Sequence, residues 1–166
     1  MRVVACVVLL LMGLVIGFSA TGSTTPSQSN NVLLSWSLPT PEGEIFQTDT
    51  LVNQAVVLTF WASWCGPCKQ ELAALEGLVQ QHPSLKVVAV NVDEDVLAAH
   101  GFLSRNPLGV PVVMDTSHTL MQKLDVSILP TTFWITRTGT IQKKTIGFNS
   151  EIHAAMGANA EAILSN

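Results

Sequence analysis

The sequence predicts an α/β fold: a mixed central sheet flanked by helices, with an N-terminal hairpin and a short inserted strand–helix segment. Three observations carry this reading. Two short, almost continuously apolar runs, residues 55–61 and 87–92, have the character of buried central strands. Each is followed by a stretch whose apolar residues recur at helical spacing. Towards the end, two further strand-like runs meet at Thr138-Gly139 and lead into a last helical stretch. Parallel neighbours require a right-handed crossover, whereas strands joined by a tight turn lie antiparallel, so this order implies a mixed sheet.

In chain order, Trp36-Ser37-Leu38 and Ile45-Phe46 flank the turn-rich Pro39-Thr40-Pro41-Glu42-Gly43, a pattern for a small hairpin. After the first buried strand, residues 67–81 place Leu72, Leu75, Leu78 and Val79 at helical intervals. Pro67 suits the first turn of that helix, where its missing N–H costs nothing. The second strand is followed by Asp93-Glu94-Asp95, acids that complement the dipole of a helix running through Val96, Ala99 and Leu103. A brief strand over 110–114 and a short helix over 119–124 form the insertion. Residues 131–136 and 140–148 are the hairpin strands, and 152–164 the closing helix.

The chain of 166 residues is divided here into residues 1–22, a signal peptide or N-terminal membrane anchor, 23–34, a flexible tether, and 35–166, the folded domain. Met1-Arg2 precedes an apolar run over residues 3–18, interrupted by Gly13 and Gly17. That length lies between a signal core and a spanning helix, and both outcomes stay open. With Arg2 held inside, either outcome places the domain outside the cytoplasm, in a periplasm or on the outer face of the membrane. Residues 19–31 carry no charge and are rich in small polar residues, as a tether requires. A net charge of −4 with scattered basic residues offers no footprint for nucleic acid. Lys143-Lys144, the sole basic doublet, fits an exposed strand end.

Cys6 falls in the apolar run and reads as a small inert hydrophobe. Cys65 and Cys68 remain, two residues apart, and outside the cytoplasm such a pair is a disulfide or a catalytic dithiol. Cys65 falls where the first buried strand turns into a helix. Free N–H groups and the dipole there favour a thiolate, a setting that can bring a thiol's pKa from about 8.5 to near 7 or below. Cys68, one turn on, can resolve a mixed disulfide formed on Cys65. A zinc site would need four ligands, and His82, His100, His118 and His153 are scattered without ligand spacing. No metal or cofactor is expected. A purely structural disulfide closing so short a loop would contribute little stability.

The run Phe60-Trp61-Ala62-Ser63-Trp64-Cys65-Gly66-Pro67-Cys68-Lys69 closely resembles the thioredoxin active-site motif. Together with Trp36-Ser37-Leu38-Pro39, Val87-Val88-Ala89-Val90-Asn91-Val92, Pro111-Val112-Val113-Met114-Asp115 and Ile128-Leu129-Pro130-Thr131-Thr132-Phe133, the pattern resembles the TlpA/ResA branch of thioredoxin-like reductases. The resemblance spans roughly residues 35–164 and implies a thioredoxin fold. It implies Pro130 as a cis-proline facing a Cys65–Cys68 disulfide, with the Leu129 backbone pairing an extended substrate segment. Gly66 and Pro67 complete the docking surface, and exposed Trp64 would anchor a partner. Trp61 and Phe133 are expected in the core. Two departures stand out. Thr59 occupies the place of thioredoxin's buried Asp, and a hydroxyl is no proton acceptor at neutral pH, so another group, or water, must manage the Cys68 proton. Glu94 matches an acid that in such proteins follows the second strand, and is the candidate; a solvated helix start is its alternative. Ala73 replaces a helix-kinking proline.

The function implied is reduction of disulfides in exported proteins, apocytochrome c among them, with electrons from a membrane donor. Gly66-Pro67 is the dipeptide of the reducing end of a family whose potentials span about 150 mV. An exported oxidase or isomerase is the alternative. A peroxiredoxin-like peroxidase, with antioxidant activity, would need a Thr where Ala62 stands. A redox-inactive docking module would have no need of the cysteine pair.

Overall fold

A computed structural model describes residues 36–166. The reading of residues 1–22 and 23–34 as export segment and tether lies outside the described residues. Five strands form one sheet in the order β3-β2-β1-β4-β5: β1 (Val56–Trp61), β2 (Lys86–Asn91), β3 (Val112–Met114), β4 (Thr131–Ile135) and β5 (Ile141–Ile146). The helices are α1 (Gly66–Gln81), α2 (Val96–Arg105), α3 (Thr119–Lys123) and α4 (Ser150–Leu164). β1 runs parallel to β2 and β2 to β3, while β4 is antiparallel to both β1 and β5. This is the mixed sheet expected from the alternation of buried runs and helical stretches.

β1 is buried along its whole length, which is why its sequence has no polar alternation except at Thr59. Side-chain parity along β1 assigns the helices to faces. Thr59 meets Glu71 of α1, and Trp61, two residues on, meets the Phe102 ring of α2 at 4.9 Å. α1 and α2 therefore cover one face. Phe60 points the other way and meets Phe133 edge-on at 5.9 Å. On that second face Lys144 lies over the Phe133 ring and donates to the carbonyls of Leu124 and Asp125, at the end of α3. Trp61 and Phe133 are core residues, as expected. The Lys143-Lys144 doublet lies within β5, where both residues are tied into the fold.

The N-terminal hairpin is a minimal one: Pro39 and Ile45 form an isolated bridge, and the Phe46 N–H donates to Leu38 O at 2.9 Å. The inserted strand is tied to it, with the Met114 N–H donating to Pro39 O at 2.8 Å. A 3-10 turn at Thr48–Leu51, unforeseen from periodicity, carries the chain into β1 and buries Leu51. α1 runs unbroken through Ala73, whose side chain is exposed. Among the described residues, no helix is long and apolar enough to cross a membrane.

Candidate active site

The site begins where β1 ends. Ala62 to Cys65 form a tight turn closed by the Cys65 N–H on Ala62 O at 3.1 Å, and α1 starts at the next residue. Cys65 is the N-cap of α1: the Cys68 N–H donates to its Sγ at 3.3 Å, and Pro67 sits in the first turn without a donor to satisfy. An N–H aimed at Sγ favours a thiolate over a thiol when the bond is opened. The two cysteines are joined, with their Cα atoms 5.3 Å apart. Cys65 is 7% exposed and Cys68 0%, so an incoming thiol reaches Cys65 first. Gly66 and Pro67 lie exposed beside it, and a Cβ on Gly66 would meet nothing within 4 Å.

At the same edge of the sheet the chain re-enters it at β4. The Leu129–Pro130 peptide is cis, and the Pro130 carbonyl accepts from the Gly147 N–H at 2.7 Å. Leu129 lines a cleft of about 500 Å³ with Trp64, Val92, Glu94, Ala98 and Met121 among its other walls. Trp64 is 74% exposed, the large apolar surface that the motif led us to expect beside Cys65. Trp64, Glu94 and Leu129 are thus brought together around one cleft, while Cys68 is fully buried.

Glu94 is exposed on the rim of that cleft. A second acid, absent from the sequence reading, occupies the core. Glu71 stands one helical turn beyond Cys68 on the buried side of α1, only 2% exposed. Its carboxyl closes a ring with two hydroxyls: Thr59 Oγ1 donates to Oε2 at 2.7 Å, and Thr132 Oγ1 lies 2.8 Å from Oε1 and 2.9 Å from Thr59 Oγ1. Thr59 and Thr132 face each other across β1 and β4, which is why both reach the same carboxyl. Each hydroxyl has one proton, so two protons serve three contacts when Glu71 is ionised. A protonated carboxyl supplies the third and closes the ring. Burial also disfavours the charge. It raises the Glu71 pKa above its ordinary value, against the opposing effect of the two threonine hydrogen bonds. The signal in the sequence was an acid inside the apolar stripe of α1, beside Leu72 and one turn before Leu75. Among the described residues, no group of three or more His, Cys, Asp or Glu side chains is placed to hold a metal ion.

A mixed five-stranded sheet, a disulfide at a helix N-terminus and a cis-proline at the entrance of β4 define a thioredoxin-like thiol–disulfide oxidoreductase. Residues 30–144 match the AhpC/TSA family, and the chain belongs to it. Thiol-disulfide oxidoreductase ResA of Bacillus subtilis (strain 168) is 36% identical over 111 residues, covering 66% of this chain and 62% of ResA. The chain thus spans less than two thirds of ResA's length. Sporulation thiol-disulfide oxidoreductase A of the same strain is 31% identical over 144 residues, covering 84% of this chain and 86% of that protein. Among solved structures, a putative thiol:disulfide interchange protein DsbE from Chlorobium tepidum superposes with a TM-score of 0.73 at 29% identity, covering 77% of this chain and 92% of that one.

The raised Glu71 pKa makes a stability prediction. Between the unfolded value near 4.5 and the higher folded one, the folded state holds more protons than the unfolded. The contribution is complete below the unfolded value and is lost as pH rises through the folded one. Glu71→Gln keeps an acceptor for the threonines and cannot ionise. The thermal midpoint of the oxidised parent should therefore fall relative to the variant as pH rises from about 4 to about 8. Parallel profiles would place a stable carboxylate in the ring and overturn the assignment.

Proposed function

We propose that this chain is a reductase of disulfides in exported proteins, working outside the cytoplasm and recharged by a membrane electron donor. The observation that carries the reading is the asymmetric cysteine pair: a helix-capping cysteine that is 7% exposed and a second that is fully sealed. Apocytochrome c haem-site cysteines are the substrate class that the TlpA/ResA resemblance suggests, and the apolar segment at residues 3–18 supplies export or anchorage. Gly66-Pro67 favours the reducing direction, and Ala62 stands where a peroxidase would need its Thr.

In the reduced protein the Cys65 thiolate attacks one sulfur of the substrate disulfide, forming a mixed disulfide and releasing the first substrate thiolate. Cys68 then loses its proton and attacks the Cys65 sulfur. The Cys65–Cys68 bond forms, the bond to the substrate breaks, and the second substrate thiolate departs. Two electrons have passed from the dithiol to the substrate. We assign the Cys68 proton to Glu71, because it stands one turn along the same buried side of α1 and burial raises its pKa, which favours its protonated form. The turnover then ends in the disulfide form, where a protonated Glu71 completes the hydrogen-bonded ring. Glu94, exposed on the cleft rim, is assigned in this reading to the substrate segment and not to the sealed sulfur. Trp64 anchors that segment while Leu129 offers its backbone.

Two experiments test this. Cys68→Ser should retain the attacker and lose the resolver, so exported proteins should accumulate on Cys65 through a bond that reductant removes. Cys65→Ser should capture none. The reverse pattern would invert the assigned roles, and capture by neither variant would remove protein disulfides as substrates. Separately, Trp64→Ala should cost at least about 1 kcal/mol of docking, roughly a fivefold rise in KM for a protein disulfide with kcat kept. Reduction of a small aromatic disulfide should be unchanged. An equal loss with both substrates would mean that Trp64 supports the cysteine pair and not the partner.

A further inference from the structure

Three acids follow β2, and each has a different place. Asp95 caps α2, its carboxylate accepting from the Leu97 N–H at 2.9 Å. Glu94 is exposed on the cleft rim. Asp93 is 3% exposed and turned inward to the loop that carries Cys65. Both of its oxygens accept from the Ser63 N–H, at 3.0 and 3.2 Å, and Oδ1 also accepts from Ser63 Oγ at 3.1 Å. Oδ2 accepts from Asn91 Nδ2 at 2.8 Å, while the Asp93 N–H donates back to Asn91 Oδ1 at 3.0 Å. Asn91 is the last residue of β2, fully buried and paired with Trp61 at the end of β1.

The position of Ser63 gives these contacts their consequence. It lies two residues before Cys65, inside the Ala62–Cys65 turn, and neither its amide nor its hydroxyl is used by the sheet. We propose that Asp93 is a positioning residue for the redox centre: by clamping the Ser63 turn to the end of β2, it fixes where the Cys65 sulfur stands relative to Cys68 and the first turn of α1. This rests on the reading of Cys65 and Cys68 as a dithiol–disulfide couple. A buried carboxylate supplied with donors from one short turn and one strand end holds both in register, since charge-assisted hydrogen bonds are the stronger ones. Holding two thiols at bonding distance raises their effective concentration toward each other. The clamp therefore favours the disulfide, and its loss should make the bond easier to reduce.

The test is equilibration of the full chain against glutathione buffers, with Ser63 amide exchange followed on the oxidised form. Asp93→Ala should lower the effective concentration of the pair about tenfold, a shift of about 30 mV to less reducing potential, and expose the Ser63 amide to fast exchange. Asp93→Asn has nearly the same shape and keeps one acceptor, so it should fold and fall between parent and Ala. Unchanged equilibria in folded variants would overturn the clamp. So would equal shifts in both variants with the Ser63 amide still protected, since only the lost charge would then be acting. If instead the parent itself forms no two-electron couple with glutathione, the fault lies in the functional reading and not in the role of Asp93.

Discussion

A carboxyl group at the centre of an apolar sheet is the constraint around which the rest of this domain is arranged. Glu71 is tolerated there because two hydroxyls stand opposite each other on adjacent strands, Thr59 on β1 and Thr132 on β4, at the register position that α1 crosses. Removing either hydroxyl would leave a buried acid short of a partner, at a cost of about 1–3 kcal/mol. The same ring couples three elements that the chemistry uses. α1 carries both cysteines, β1 delivers the chain to Cys65, and β4 begins directly after Pro130. A shift of any one against the others would break a hydrogen bond in the core, so the geometry between the disulfide and the cis-proline loop is set from beneath.

Thr59 is informative for this reason. Read in the sequence alone it is a loss, a hydroxyl where an acid would handle a proton. In the fold it is half of a cradle for an acid contributed by the neighbouring helix. The titratable group of this buried cluster is contributed by the helix and not by the strand.

Much of this was legible in the sequence. Continuous apolar runs predicted β1 and β2 because strands buried on both faces need no polar alternation, and the helical spacing of Leu72, Leu75 and Leu78 predicted α1. The turn at Gly139 predicted the β4–β5 hairpin. Cys65 and Cys68 followed from spacing at a strand–helix junction, and the cis Leu129–Pro130 bond from the family resemblance. What escaped were contacts between residues distant in the chain. Glu71 stands in the apolar stripe of α1, but its burial depends on facing threonines that only the pairing of β1 with β4 brings together. Asp93, Glu94 and Asp95 read as one acidic helix start. Their separate roles depend on which carboxylate turns inward to Ser63, which caps α2 and which faces the cleft, and composition carries no such direction.

The convergence of these groups has a topological cause. β1 and β2 run parallel, so the chain leaves both at the same edge of the sheet, one into Ser63–Cys65 and the other into Asp93. β4 is antiparallel to β1, so its first residues, following Pro130, lie at that edge too. β1 is the strand where the sheet changes from parallel to antiparallel pairing, so its carboxyl end lies between the exit of β2 and the entrance of β4. Loops there can approach one another without crossing, which is the general reason that open sheets of this kind carry their chemistry at such a point. The cysteine motif uses the exit of β1, the Asp93 loop the exit of β2, and Leu129-Pro130 the entrance of β4. A redox helix begun at any other strand of this sheet would lack one of the three.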